Sequence, residues 1–425
     1  MMQEEEQFIE PEQACIGLYI HLDLGWMEHP FTFNSFRIKD AKQLETLRML
    51  GLPRIRYSPE KSIARPLPRM AQQPVRLVAA PPQLSPLDEA AMRKKKTLIR
   101  ELDRIRNDIE VVERQFQQTA ATIRNITRNI HSRPQEAYEA ADTLVTMMVK
   151  SMLDKTDMMM HALNSKMGDD IYFHSLNVTV LSLMLARMLE LTPDQAHQLG
   201  MGAIFHDIGK TEIPQKILLN PGPLSRPEQS FLEKHVDYGI DIARKVGLSP
   251  GSLAVVSQHH ECVDGTGYPR RLAGDEVGML ARIVAIANTY DNLCNPANMA
   301  AAMTPYEALS HMFALKRSKF DERMLKTFIR CLGVYPPGNV VVLSNDMLGL
   351  VLSVNPNQPM KPNVLVYDPN IPAEEALIVS LDQEPELSIS KSLRQNELSR
   401  EVLEYLKPRK HVTYYFDPKR TEDKR

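Results

Sequence analysis

The sequence predicts a mainly α-helical protein with small β-containing modules at both ends. Three observations predict it. Between about Pro134 and Leu332 the chain runs in helical patterns of 10 to 20 residues separated by Gly, Pro and Asn. A heptad stripe precedes that region, and short β-like runs are confined to the two ends of the chain. A length of 425 residues corresponds to about three domains at roughly 150 residues each.

Residues 1–85 read as a small α+β domain followed by a Pro-rich linker. β-like runs span Gly17 to Leu22, Phe36 to Ile38 and Arg54 to Tyr57, with a helical stretch from Ala41 to Leu50. From Ser58 to Pro86 prolines accumulate and hydrophobic periodicity is lost, the composition of an extended linker.

Residues 86–133 carry Leu98, Leu102, Ile105, Ile109, Val112, Phe116, Thr119, Ile123, Ile126 and Ile130 at alternating spacings of four and three. Such a stripe serves either a coiled-coil-like homodimer or an amphipathic helix packed on its own domain, and its length favours the homodimer. Residues 134–335 form the helical domain. Met147, Met148, Met152, Met158, Met159 and Met160 supply a deformable apolar surface there. Beyond Tyr335-Pro336-Pro337-Gly338, residues 336–425 read as a small β appendage with strands at Val340–Leu343, Leu348–Val354 and Val364–Tyr367, ending in a charged tail expected to fray.

Lys+Arg 51 against Asp+Glu 53 leaves a net charge of −2, which argues against coating a nucleic acid polymer. Cys15, Cys262, Cys294 and Cys331 form no CxxC pair, so neither a zinc knuckle nor a secreted disulfide framework is indicated, and reduced cytoplasmic thiols are expected. No apolar run reaches the roughly 18 residues of a membrane span, and MMQEEEQFIEPEQ is acidic where a signal peptide is basic.

Histidines in the helical region stand where apolar side chains belong. His174 lies on the stripe of Val178, Leu181, Leu185 and Met188. His206 shares a face with Leu199 and Ala203, and Asp207 follows it in His206-Asp207-Ile208-Gly209-Lys210. The capping-box pattern Ser225-Arg226-Pro227-Glu228 opens a helix that places His235 on a stripe with Phe231, Tyr238 and Ile242. Ser249-Pro250 opens another that ends at His259-His260. Ala281, Val284, Asn288 and Asp291 share one face of a helical segment.

A single inward histidine is usually a hydrogen-bonded core residue. Five of them beside Asp207, packed dry, would strand polar groups at roughly 1 to 3 kcal/mol each, whereas divalent cations turn the same groups into satisfied ligands. Imidazole and carboxylate without thiolate suit iron, manganese or a similar ion. A carboxylate beside a histidine can bridge two ions, and a pair about 3.5 to 4 Å apart is a clamp for phosphoester hydrolysis.

The string His206-Asp207-Ile208-Gly209-Lys210, then His259-His260-Glu261 and Asp264-Gly265-Thr266-Gly267-Tyr268-Pro269, resembles the HD-GYP family of cyclic di-GMP phosphodiesterases over roughly Asp169 to Gly338. The stretch His21 to Phe31 resembles an uncharacterised domain that often precedes HD-GYP domains in bacteria. The resemblance implies an all-α HD-type metallohydrolase core that holds two, in some members three, iron or manganese ions. It implies opening of cyclic di-GMP to linear pGpG, in some members to GMP, in second-messenger signalling that governs biofilm and motility.

By the same resemblance His174, His206, Asp207, His235, His259 and His260 match metal ligands, with Asp207 bridging. Lys210 matches a lysine that contacts phosphate. Gly267, Tyr268 and Pro269 match the signature loop that shapes the site and contacts diguanylate cyclase (GGDEF) domains. Asn288 stands where the family has a metal-binding aspartate; Asp291 is a substitute, and register favours Asn288. The family's substrate-holding cations fall here on Ala297 to Ala300, leaving Arg270, Arg271, Lys316 and Arg317 as replacements. Asp170 matches the glutamate of three-metal members, or is a helix N-cap.

Overall fold

The computed structural model describes residues 7–25, 28–31, 33–68, 93, 107, 111, 113–153, 159–162, 170–220, 222–354, 358, 360–369, 371–373, 376–384, 386–408 and 414–417. The chain divides into two units. One comprises Met1–Arg106 with Tyr367–Leu377, the other Asn107–Val366 with Ile378–Arg425.

The first unit is built on a four-stranded antiparallel sheet in the order β1-β4-β2-β3. Its strands are β1 (Gln7–Ile9), β2 (Tyr19–His21), β3 (Ser35–Arg37) and β4 (Ile55–Ser58). Helix α1 (Ala41–Met49) starts where the Asp40 carboxylate accepts the Gln43 N–H and lends Leu47 to a core of Leu18, Ile20, Leu22, Ile38 and Ile55. The linker begins later than the prolines suggest. The Ile63 N–H donates to the Gly17 carbonyl and the Leu67 N–H to the Gln13 carbonyl, so residues 58–68 belong to this unit. Proline costs a donor only at its own position, and the residues between still pair.

The second unit has the expected helical core. Helix α2 (residues 113–129) is the lower half of the heptad. Its Phe116, Ile123, Ile126 and nearby Ile130 are buried in the unit's own hydrophobic core. For these positions the packed-helix reading holds, while Leu98, Leu102, Ile105, Ile109 and Val112 lie outside the described residues. Helix α3 (Pro134–Leu153) buries Met148 and Met152 in the same core, so these two are core residues rather than surface; Met147 is exposed.

Helix α4 (Asp170–Met188) runs through the centre. From Leu176 to Leu185 its side chains are buried on every face, polar Asn177, Thr179 and Ser182 included. Each buried Leu or Val there contributes about 1.5 to 3 kcal/mol. Against it pack α3, α5 (Pro193–Phe205), α10 (Met279–Cys294) and α12 (Glu322–Leu332), with α9 (Pro250–Gln258) packed on α5 and α10, and α6 (Gln215–Leu218), α7 (Arg226–Glu233), α8 (His235–Val246) and α11 (Pro305–Leu315) completing the bundle. Helix starts follow one device. Thr192-Pro193, Ser249-Pro250 and Thr304-Pro305 each place a hydroxyl that accepts the N3 amide and a proline at N1.

The C-terminal sheet holds the expected β6 (Val340–Leu343) and β7 (Leu348–Val354), and β8 at Asn363–Val366. It also recruits β5 (Met159–Ala162), from inside the region read as helical, and β9 (Ile378–Ser380), β10 (Ile389–Leu393) and β11 (Tyr414–Asp417). β5 pairs with β7 and β11. A four-residue strand whose partners lie nearly two hundred residues away or further leaves no local periodicity to read. Helix α13 (Arg400–Leu406), capped by Ser399, and β11 both lie in the charged tail, so these parts of it are ordered rather than frayed.

Candidate metal centre

His206 and His259 are the C-cap residues of α5 and α9, and His235 follows α7 directly. The last carbonyls of a helix lack intrahelical partners. In all three cases the imidazole answers the carbonyl three residues back. His206 Nδ1–H donates to Ala203 O at 2.7 Å, His235 Nδ1–H to Leu232 O at 2.7 Å and His259 Nδ1–H to Val256 O at 2.9 Å. A carbonyl only accepts, so Nδ1 carries the proton and Nε2 keeps its lone pair.

His235 thus departs from the sequence reading. α7 ends at Glu233 with Lys234 as its cap, and the histidine opens α8 instead of extending the stripe of Phe231. Gly209 explains the turn between His206 and the next segment, because a Cβ there would lie 1.9 Å from the His235 carbonyl oxygen. Only glycine admits that approach.

His174 lies within α4, where every nearby carbonyl is already paired, so a carboxylate takes their place. Its Nδ1–H donates to Asp291 Oδ2 at 2.6 Å. Asp291 Oδ1 accepts from Asn177 Nδ2 at 2.8 Å and Asn295 Nδ2 at 2.9 Å. Sequence reasoning treated Asp291 as a substitute ligand. The structure makes it the acceptor that fixes the His174 ring.

The freed Nε2 atoms converge on one buried carboxylate. Asp207 Oδ2 stands 3.4 Å from His174 Nε2 and 3.3 Å from His206 Nε2, while Oδ1 stands 3.3 Å from His235 Nε2 and 3.6 Å from His259 Nε2. His174 and His206 meet Nε2 to Nε2 at 3.3 Å, as do His235 and His259. The ligand atoms form two groups, His174-His206-Asp207 and Asp207-His235-His259-His260, each within 4.8 Å.

Asp207 Oδ1 and His260 Nε2 are buried without a hydrogen-bond partner among the described residues. Lone pairs facing lone pairs in a dry site are what a cation satisfies. The residues present therefore fit a pair of divalent ions with Asp207 shared between them. No cysteine belongs to either group.

The electrostatics favour neutral rings at His206, His259 and His260 and set His174 apart as a ring that holds a second proton until an ion displaces it. Burial resists charge on His174, but its hydrogen bonds to Asp207 and Asp291 prevail and push its pKa up to about 9. Burial pulls His259 down to about 4 and holds His206 and His260 below the usual imidazole range. Burial would raise the Asp207 carboxyl, yet Lys210 and His206 hold it well below the ordinary value. Lys210 Nζ donates to Asp207 Oδ2 at 2.5 Å from the mouth of the cluster.

The signature segment lies on the second group. Tyr268 N–H donates to the His260 carbonyl at 3.2 Å, and its ring stacks on the His260 imidazole with centroids 4.5 Å apart. Gly267 is buried and Pro269 exposed. Asn288 is buried on α10, its Oδ1 accepting from Asn292 Nδ2 at 2.7 Å. Of the alternative cations, Arg317 is paired with Glu322 at 3.3 Å, and Arg270 and Arg271 are exposed. The Asp170 side chain lies outside the described residues.

A model of the HD domain matches residues 134–324, and a model of a domain of unknown function, DUF3391, matches residues 7–141. The chain is 27% identical over 365 residues to a cyclic di-GMP phosphodiesterase of Pseudomonas aeruginosa, spanning 84% of this chain and 83% of that protein. It is 32% identical over 150 residues to a cyclic di-GMP phosphodiesterase response regulator of Xanthomonas campestris, 35% of this chain and 39% of the relative. It is 31% identical over 158 residues to a 3'3'-cGAMP-specific phosphodiesterase of Vibrio cholerae, 37% of this chain and 30% of the relative.

Proposed function

The chain belongs to the HD-domain family in its HD-GYP form, with a DUF3391 domain ahead of it, and from that premise we propose that it is a metal-dependent phosphodiesterase of cyclic di-GMP. One observation carries the reading: a single buried carboxylate presents one oxygen to each of two histidine groups. We assign the ligands as His174, His206, Asp207, His235, His259 and His260, with Asn288 added through its amide oxygen from α10. Iron or manganese suits this set.

When bound, the ions supply Lewis acidity that readies water and shields phosphate charge. The chain does the rest. Asp207 spans the two groups, and the three helix-end carbonyls together with Asp291 turn the Nε2 atoms of His174, His206, His235 and His259 inward. Lys210 Nζ holds the phosphate and meets the charge that develops on it. Gly267, Tyr268 and Pro269 wall the substrate side. Linear pGpG is the expected product, with GMP after a second cleavage.

No helix among the described residues is long and apolar enough to cross a membrane. A cytoplasmic site of action, contact with GGDEF proteins through the signature loop and a homodimer through the heptad helix complete the proposal. Incubating anaerobically purified, iron- or manganese-loaded protein with cyclic di-GMP and separating the products tests it: pGpG or GMP is expected, and intact dinucleotide overturns it. The similarity to a 3'3'-cGAMP-specific enzyme favours a second reading, hydrolysis of that dinucleotide, which the same assay resolves with both substrates side by side.

A further inference from the structure

Glu261 follows the histidine pair directly and is 2% exposed. A buried carboxylate without partners is costly, and among the described residues no cation pairs with this one. Its oxygens are met by backbone instead. Oε1 accepts the Arg270 N–H at 2.7 Å and Oε2 the Leu272 N–H at 3.0 Å. Between these two, Arg271 holds the left-handed conformation at φ 56°. A left-handed residue flanked by such amides turns successive N–H groups into a concavity for an anion, and here the chain's own carboxylate fills it.

The loop thus anchored is pressed onto the ligand pair. A Cβ at Gly267 would stand 2.4 Å from the Cys262 amide nitrogen and 2.5 Å from the His260 carbonyl oxygen. Tyr268, next along, bonds and stacks on His260 as described. Among the described residues no hydrogen bond fixes the His260 ring, whose buried Nε2 lacks a partner, whereas each of the other four rings has one. Its orientation therefore depends on what lies across its face.

Resting on the metal-site reading above, we propose that Glu261 is a positioning residue: a latch that closes residues 267–272 over His260 and so sets the ligand geometry of the His235-His259-His260 group alone. The variant Glu261→Gln keeps the volume but turns one acceptor into a donor facing an N–H. Its readouts are metal affinity by titration and amide exchange of the metal-free protein. Neither depends on the substrate, so a wrong dinucleotide leaves the outcome unaffected.

The latch predicts that E261Q binds one ion about 10- to 100-fold more weakly while the other is unchanged, and that the Arg270 and Leu272 amides exchange at least tenfold faster. Equal weakening of both ions, or unaltered exchange, overturns it. Should E261Q fail to fold, the wild-type protein decides. Slow exchange at Arg270 and Leu272, whose loop is otherwise open to solvent, supports the latch, and exchange at the rate of an open loop overturns it.

Discussion

Asp291 Oδ2 accepts the Nδ1–H of His174 at 2.6 Å, doing for a mid-helix histidine what free helix-end carbonyls do for His206, His235 and His259. Three donors converge on this carboxylate, with two on Oδ1. In Asp291→Asn the side-chain oxygen keeps the Asn177 and Asn295 pair, and the NH2 faces His174. The imidazole proton then moves to Nε2 and blocks the ligand lone pair. Metal affinity at the His174-His206 group should fall about 10- to 100-fold. Titration of the variant checks this, and wild-type affinity at both sites contradicts it.

Asp207 serves both histidine groups, so its loss should not resemble the loss of one histidine. Asp207→Ala should release both ions, whereas His235→Ala should weaken chiefly the ion held by the group it leaves. Elemental analysis of anaerobically purified protein reports the stoichiometry. Retention of one ion by Asp207→Ala would argue against a shared carboxylate.

Lys210 touches the cluster through Asp207 Oδ2 but contributes no lone pair. Lys210→Met should reduce kcat by about 10²- to 10³-fold, the range for removing one donor aimed at developing charge, with metal content intact. Parallel loss of metal and rate would instead make Lys210 a support of the site.

The pH dependence of the metal-free protein has two limbs. His174, raised to about 9 against 6.5 unfolded, contributes stability that is fully present below pH 6.5 and lost as pH rises through 9. His259, lowered to about 4, refuses a proton that the unfolded chain accepts, so stability is lost as pH falls from 6.5 towards 4, and His206 and His260 act in the same direction. Each proton changes stability by about 1.4 kcal/mol per pH unit. The Tm of the metal-free protein should therefore peak near pH 6.5. With metal loaded, the ion replaces the His174 proton and the fall between pH 6.5 and 9 should disappear. A metal-free Tm that climbs steadily to pH 9 would refute the assignment.

Gly209→Ala places a methyl against the backbone of His235 and Gly239, with no flexible side chain to yield. Destabilisation by about 2 to 4 kcal/mol is expected, measured as a lowered Tm in the metal-free protein. An unchanged Tm would show that the turn can widen.

Much of this was legible in sequence because it is local. Ser/Thr-Pro helix starts, the helical period and the His-Asp and His-His strings each lie within one segment, so the helical domain and the inward-facing His174, His206, Asp207, His235, His259 and His260 could be read before any contact was seen. The heptad shows where local reading stops. One stripe describes both a partner helix and a home core, and for Phe116 to Ile130 the domain's own helices cover it.

The amino-acid sequence by itself determined which residue types stand at which turns of which helices, since periodicity and capping depend on neighbours a few positions away. Only the tertiary structure decided that Asp291 accepts the proton of His174, that Glu261 accepts the Arg270 and Leu272 amides, that His235 opens a new helix and that β5 joins the C-terminal sheet. Each joins groups distant in the chain or a side chain to a backbone amide or carbonyl, and backbone groups are alike in every residue. Which of them a fold leaves unpaired is set by packing, so no pattern of side chains announces it.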